Sequence, residues 1–100
     1  MIVVLFWSRL TSEAGEDYSA MAAEMVERAT RTSGFVDFKS FAAKDGERLS
    51  VIHWQDEETM KLWANDERHR LAQKLGRETW YQFFRLEVAQ VARAWDFHRG

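Results

Sequence analysis

The side chains best suited to chemistry lie in one stretch, from Trp54 to Tyr81. This stretch holds three of the five tryptophans and one of the three histidines. His69 has an unperturbed pKa of about 6.5, so it could act as a general base at neutral pH. The alternative is a helix histidine that is hydrogen-bonded to a backbone carbonyl or a carboxylate. Trp63 and Trp80, together with Trp54, could form the walls of a flat cavity or could fill a core.

Polar side chains elsewhere could bind a ligand beside this stretch. Ser8 and Ser50 are candidate hydrogen-bond donors. Arg77 and Arg85 could orient an anionic oxygen, or could pair with neighbouring glutamates on the surface. The other histidines are widely spaced, with no HxH or HxxxH pattern, so the sequence predicts no metal site. It also contains no nucleophile elbow, phosphate-binding loop or dinucleotide fingerprint.

The composition limits the classes of protein that this chain can belong to. The length of 100 residues predicts a single domain over 1–100. The formal charge of −2, with acids and bases interspersed, is not that of a nucleic-acid-binding protein. No cysteine is present, so we expect no disulfides, and a cytoplasmic location fits. No apolar run is long enough for a membrane helix. The apolar start is expected to be a buried strand rather than a signal peptide.

The first half of the chain predicts two kinds of element in alternation. Short β-branched and aromatic runs predict strands at Ile2–Arg9, Phe35–Ala43 and Arg48–Gln55. Asp45-Gly46 predicts the hairpin turn between the last two. A helix with an apolar stripe lies between the first two strands and is expected to end near Gly34. The stripe consists of Tyr18, Met21, Ala22, Met25, Val26 and Ala29.

The second half predicts two short helices and a strand. Asp56 can cap a helix whose inward residues are Met60, Trp63 and Ala64. Asn65 or Asp66 can cap a second helix that Gly76 is expected to stop. The predicted apolar face of this second helix consists of Leu71, Ala72 and Leu75. The alternating residues from Phe84 to Trp95 predict a long last strand.

The order of these elements predicts a fold and a partner. A strand–helix–strand–strand–helix–strand order is that of a ferredoxin-like α+β domain, βαββαβ, with a four-stranded antiparallel sheet and its helices on one face. The other face of the sheet keeps apolar side chains and has no element left to cover it. An apolar face of that size predicts a homodimer that packs sheet on sheet, with Trp7 and Trp95 at the interface.

The chain resembles the antibiotic biosynthesis monooxygenase domain family of dimeric α/β barrels, which includes haem-degrading enzymes. The residues that carry the resemblance are Trp54, the acids 56–58, Trp63, the run 69–73, Gly76-Arg77 and Trp80-Tyr81. The strand order, Gly34-Phe35 and Asp45-Gly46 also correspond. The resemblance implies a monooxygenase that acts on a small aromatic molecule without a tightly bound cofactor.

The resemblance also assigns individual positions. Trp63 corresponds to a helix tryptophan that contacts the porphyrin in haem-degrading members, and Gln73 stands where those members have their iron-ligating histidine. Ser8 stands in place of their strand asparagine. The quinone-forming members share Trp54, while Ser50 and Met60 replace their asparagine and tyrosine. We therefore expect catalytic roles for His69 and Trp63. We expect substrate-binding roles for Ser8, Ser50, Trp54, Gln73, Arg77 and Trp80.

Three functions remain open from the sequence. The first is oxygenation of an aromatic substrate with His69 as the base and no cofactor expected. The second is haem binding with slow oxidative breakdown, in which His69 could replace Gln73 as the iron ligand only in a shifted helix. The third is a non-catalytic dimeric module that binds a ligand or takes part in a stress response. A cavity filled by the protein's own aromatic side chains would favour the third.

Overall fold

A computed structural model describes residues 1–100. The chain forms β1 (Ile2–Leu10), α1 (Glu16–Thr30), β2 (Phe35–Ala42), β3 (Arg48–Trp54), α2 (Glu57–Ala64), α3 (Glu67–Leu75), a π-helical turn (Gly76–Trp80) and β4 (Tyr81–Gln90). The predicted strand and helix order is confirmed, with the second helical segment divided into α2 and α3.

The four strands form one antiparallel sheet in the order β2-β3-β1-β4, which is the ferredoxin-like arrangement. Ile2 of β1 pairs with Trp54 of β3 at one end of the sheet, and Ser8 pairs with Arg48 at the other. Side chains alternate between the two faces of a strand. Ile2, Val4, Phe6 and Ser8 therefore face the helices together with Arg48, Ser50, Ile52 and Trp54.

The core lies at the Ile2–Trp54 end of the sheet. Its fully or nearly buried members come from β1, β3, α1 and α2, and they are Ile2, Val4, Ala29, Ile52, Trp54 and Met60. The turn before α1 and the turn after it leave this helix lying across the same face. Gly34 has φ +94°, and a Cβ there would collide with the Thr59 side chain, so only glycine fits.

Two aspartates start the helices of the second half, as the sequence predicts. The Asp56 carboxylate accepts a hydrogen bond from the Thr59 amide at 2.8 Å, and the Asp66 carboxylate accepts one from the Arg68 amide at 2.9 Å. Asp66 also accepts from the Arg28 guanidinium of α1 at 3.3 Å, and Arg68 donates to Glu24 at 2.7 Å. These bonds fix the beginning of α3 against α1.

A bulge interrupts the alternation of side chains along β2. Strict alternation would place Phe35 and Phe38 on opposite faces, since they are three residues apart. The register of β2 against β3 shifts between Phe35 and Asp37, and both phenylalanines pack against the core. The extra residue of a bulge reverses the facing of the residues that follow it.

The end of the helical segment differs from the prediction. α3 ends at Leu75 with Gly76 as its C-cap, as predicted, but Gly76 has φ −60° and the chain continues into the π-helical turn instead of leaving the helical conformation. A Cβ at Gly76 would lie 2.6 Å from the Tyr81 ring, so the glycine permits close packing. The last strand is Tyr81–Gln90 and not Phe84–Trp95, and residues 91–100 form no strand. Leu71 of the predicted apolar face is 38% exposed.

The second face of the sheet is open. Val3, Leu5, Trp7, Leu49 and Val51 alternate with the residues that face the helices, and no helix of the chain covers them. The Arg85 guanidinium lies 4.3 Å from the centre of the Trp7 ring and pairs with Glu87 at 3.5 Å. No helix is both long and apolar enough to cross a bilayer.

Candidate active site

A cavity of about 510 Å³ lies between the helices and the sheet. Twenty of its 27 lining residues are hydrophobic, so a ligand inside it would be largely removed from water. All three helices and all four strands contribute to the walls. The apolar lining includes Met21, Met25 and Met60, which are three of the four methionines of the chain.

Seven of the eight predicted site residues line this cavity: Ser8, Ser50, Trp63, His69, Gln73, Arg77 and Trp80. Trp54 is the exception and corrects the prediction that it forms a cavity wall. It is 0% exposed, and its ring centre lies 5.5 Å from that of Trp63. Trp54 therefore supports the cavity wall from the core side, because Trp63 lies between it and the open space.

His69 lies at the junction of α2 and α3. Its ring packs on Trp63 with 4.0 Å between ring centres and 35° between planes. Nδ1 lies 3.2 Å from the Ala64 carbonyl oxygen, which can only accept, so Nδ1 carries the proton of the neutral ring. The lone pair is then on Nε2. Burial lowers the pKa of His69, and the Ala64 hydrogen bond and Asp66 oppose that effect only partly.

Hydroxyl and amide groups from the sheet and from α3 also line the cavity. Ser50 of β3 and Ser40 of β2 lie side by side, with 2.9 Å between their hydroxyl oxygens. Ser8 of β1 is only 4% exposed and belongs to the same face of the sheet. Gln73 is one helical turn after His69 on α3. These groups could hydrogen-bond the oxygen atoms of a ligand.

The end of the cavity farthest from the core contains Tyr18, Arg48 and Tyr81. None of the three was predicted as a site residue. The Arg48 guanidinium lies 5.8 Å from the Tyr18 ring centre, and the two tyrosine rings meet edge to face at 6.1 Å. Trp80 closes this end, with its indole N–H donating to Asp17 at 3.1 Å. The sequence contains one indication for Arg48, because the alternation of side chains along β3 places it on the same face as Ser50 and Trp54.

The charged and ligating groups of the cavity are few. Its lining contains no aspartate and no glutamate, and no group of three or more His, Asp or Glu side chains could hold a metal ion. The carboxamide of Gln73 is not among the side chains that ligate haem iron. His69 packs on Trp63 and binds the Ala64 carbonyl through Nδ1, so Nε2 is the one imidazole nitrogen of the cavity that could ligate iron. The position of Gln73 does not fit a haem.

A family model decides the classification of the chain. The model described as antibiotic biosynthesis monooxygenase matches residues 1–75, which is three quarters of the chain. The chain belongs to this family. The predicted resemblance is therefore confirmed, and the family supports a monooxygenase as the general class of function.

Two relatives and two solved structures show how far this similarity extends. The chain is 29% identical over 89 residues to the Bacillus subtilis protein YqjZ, covering 89% of this chain and 78% of YqjZ. It is 28% identical over 94 residues to the jasmonate monooxygenase ABM of Pyricularia oryzae. That match covers 91% of this chain but only 43% of the fungal protein.

The solved structures show the fold. A family member from Deinococcus radiodurans superposes with a TM-score of 0.84 at 10% identity, covering 99% of this chain and 100% of that one. Rv0793 from Mycobacterium tuberculosis superposes with a TM-score of 0.80 at 11% identity, covering 93% and 96%. At such low identity these likenesses establish the ferredoxin-like architecture alone.

Proposed function

We propose that this member of the antibiotic biosynthesis monooxygenase family oxygenates an aromatic small molecule in the cavity, without a tightly bound cofactor. One observation carries the proposal. The cavity contains a single imidazole, that of His69, whose protonated Nδ1 is bound to Ala64 so that Nε2 is free to accept a proton. A neutral imidazole in an apolar, desolvated wall is the group that a general base requires.

The proposed reaction uses the substrate itself as the reductant of oxygen. Nε2 of His69 removes a proton from an acidic C–H group that is conjugated with a phenol. The resulting anion gives one electron to O₂, and the substrate radical and superoxide combine into a peroxide. Loss of water from the peroxide converts the CH₂ group into C=O, so that one oxygen atom enters the product and the other leaves as water.

The remaining cavity residues would orient the substrate for this step. Ser50 and Gln73 can donate hydrogen bonds to phenolic oxygens as negative charge develops there. Trp63, which packs on the His69 ring and lines the cavity, would hold the imidazole beside a flat substrate. The apolar lining would exclude water, which protects the carbanion from simple reprotonation.

Two variants that carry the same substitution test the base. His69→Asn keeps a side-chain N–H for the Ala64 carbonyl but removes Nε2, and His53→Asn changes a histidine on the open face that binds Asp37 at 2.7 Å. With dithranol, an acidic dihydroxyanthrone, oxygen uptake should fall by about 10²- to 10⁴-fold in His69→Asn. It should stay unchanged in His53→Asn. Wild-type uptake no faster than spontaneous oxidation would refute the proposal.

The open face of the sheet would bind a second copy of the chain. Its apolar residues Val3, Leu5, Trp7, Leu49 and Val51 are all partly exposed and lie next to one another, and a contiguous apolar surface of this kind is typical of a protein–protein interface. An identical face on a second copy meets it in a two-fold pair. The cavity lies on the other face, so each copy would keep its own site.

A further inference from the structure

We propose that the cavity selects substrates that carry a carboxylate, and that Arg48 and Arg77 bind this carboxylate at the end opposite His69. This inference deepens the proposed function. It rests on that function only for the position of the oxidised carbon next to His69. Binding of the carboxylate itself requires no oxygen chemistry.

The charge of the cavity points to an anion. The protein has 16 acidic residues and a net charge of −2, yet none of the acids lines the cavity. The two charged side chains that do line it are arginines. An apolar cavity that contains positive charge and no negative charge attracts a negatively charged ligand more strongly than a neutral one of the same shape.

Arg48 also lacks the partner that other arginines of the domain have. Arg9, Arg28 and Arg68 pair with carboxylates at 2.7 to 3.4 Å. Arg31 and Arg85 each pair with a glutamate at 3.5 Å. No salt bridge involves Arg48 or Arg77. Arg48 instead lies over the Tyr18 ring, which leaves its N–H groups free for a bidentate bond to a carboxylate.

Neutral hydrogen-bond donors surround this guanidinium. Ser8 is the direct cross-strand partner of Arg48, so their side chains emerge next to each other on the cavity face. Burial, together with the charge of Tyr18 and a hydrogen bond to it, raises the pKa of Tyr81 far above its ordinary value, so its hydroxyl stays neutral beside Arg48. A carboxylate needs several donors when it leaves water, and this end of the cavity supplies them.

The two ends of the cavity fix the shape of the ligand. Along α3 and the π-helical turn, His69 and Arg77 are eight residues apart, about 12 Å at ~1.5 Å per residue. Along β3, Ile52 is the lining residue nearest the core, and it lies four residues from Arg48, about 13 Å. A suitable substrate therefore has an elongated apolar body, with its carboxylate at one end and the oxidisable carbon at the other.

A matched pair of probes tests this inference without turnover. 6-Phenylhexanoate and 6-phenylhexanamide have nearly the same shape and differ in charge, and their dissociation constants can be measured by calorimetry. The wild-type protein should bind the carboxylate at least about tenfold more tightly than the amide. Arg48→Met, which keeps the length of the side chain, should lose this preference while its affinity for the amide is unchanged.

Control variants separate the local role of Arg48 from general charge. Arg85→Met removes an arginine from the open face and should keep the full preference, and circular dichroism should show that each variant is folded. Tyr81→Phe, which removes one donor, should reduce the preference several-fold.

Equal affinity for both probes in the wild-type protein, binding of neither, or a preference that survives Arg48→Met would overturn the inference. Oxygen uptake is measured separately. A clear carboxylate preference with no oxygenation would therefore contradict only the proposed reaction.

Discussion

The imidazole of His69 connects the geometry of the cavity to a pH profile. Burial lowers its pKa below the ordinary value of about 6.5, so the neutral form that can accept a proton persists into mildly acidic solution. We expect the acid limb of kcat/KM for oxygen uptake to have its midpoint below pH 6.5. The measurement is the rate between pH 4.5 and 8 with dithranol, corrected for spontaneous oxidation. A midpoint above about 7 would contradict the assignment.

The same shift affects stability with a definite sign. Between the lowered pKa of the folded protein and the ordinary pKa of the unfolded chain, the unfolded state binds more protons. Stability therefore decreases as the pH falls through this range. His69→Asn should remove that part of the pH dependence of unfolding, because asparagine does not titrate.

Single residues also show what a sequence can predict about a site. Ser8, Ser50, Trp63, His69, Gln73, Arg77 and Trp80 were predicted and line the cavity. Trp54 was predicted to line the cavity with them but is buried in the core. The alternation of a strand shows which face a residue is on, but it does not show how deeply the residue is buried. Tyr18, Arg48 and Tyr81 were missed because they come from three separate elements, and only Arg48 has a signal in the sequence, the alternation of β3.

Among the elements, α3 and the π-helical turn position three of the seven polar and charged side chains of the cavity, His69, Gln73 and Arg77. The extra residue of the turn delays the start of β4 and brings Trp80 against Tyr18, with 5.5 Å between ring centres. Sequence patterns did not predict this turn. Gly76 looked like a helix stop, whereas its missing side chain makes room for the Tyr81 ring. A glycine in the sequence is compatible both with the end of a helix and with close packing of a neighbouring ring, and only the tertiary packing distinguishes the two.

Gly76→Ala tests this interpretation. A helical alanine is favoured over glycine by about 1 kcal/mol, but its Cβ would overlap the Tyr81 ring, and overpacking costs about 1 to 3 kcal/mol. We expect a net loss of up to about 2 kcal/mol in the free energy of unfolding by urea. In a Tyr81→Ala background the same substitution should instead stabilise the protein. A loss that is equal in both backgrounds would show that the ring is not the cause.

At the scale of the whole molecule, the strand order and the two layers were predictable from alternation, caps and the Asp45-Gly46 turn. The end of β4 was not, because the alternating pattern continues past Gln90 while the pairing with β1 ends there. The open face of the sheet was predicted as the interface of a homodimer, and this remains a prediction.

Two substitutions of the same type test that interface by light scattering. Leu5 lies in the middle of β1 on the open face, whereas Leu62 of α2 is 63% exposed on the helical side. We expect the wild-type protein and Leu62→Glu to have the mass of two chains at micromolar concentration. Leu5→Glu should have the mass of one chain, because burying an unpaired carboxylate costs about 2 kcal/mol or more. A wild-type protein that is monomeric at high concentration would exclude the pairing.

The methionines of the cavity determine where oxidative damage to such a protein would begin. The chain has no cysteine, so no thiol can absorb a stray oxidant, and Met21, Met25 and Met60 are the most readily oxidised groups beside the site. Peroxide that escapes from an unproductive turnover would meet thioethers first. The resulting sulfoxides would make the apolar cavity polar, and the rate of the reaction in it would fall gradually. Sulfoxide reductases convert methionine sulfoxide back to methionine. A loss of activity caused by this oxidation would therefore be reversible in the cell.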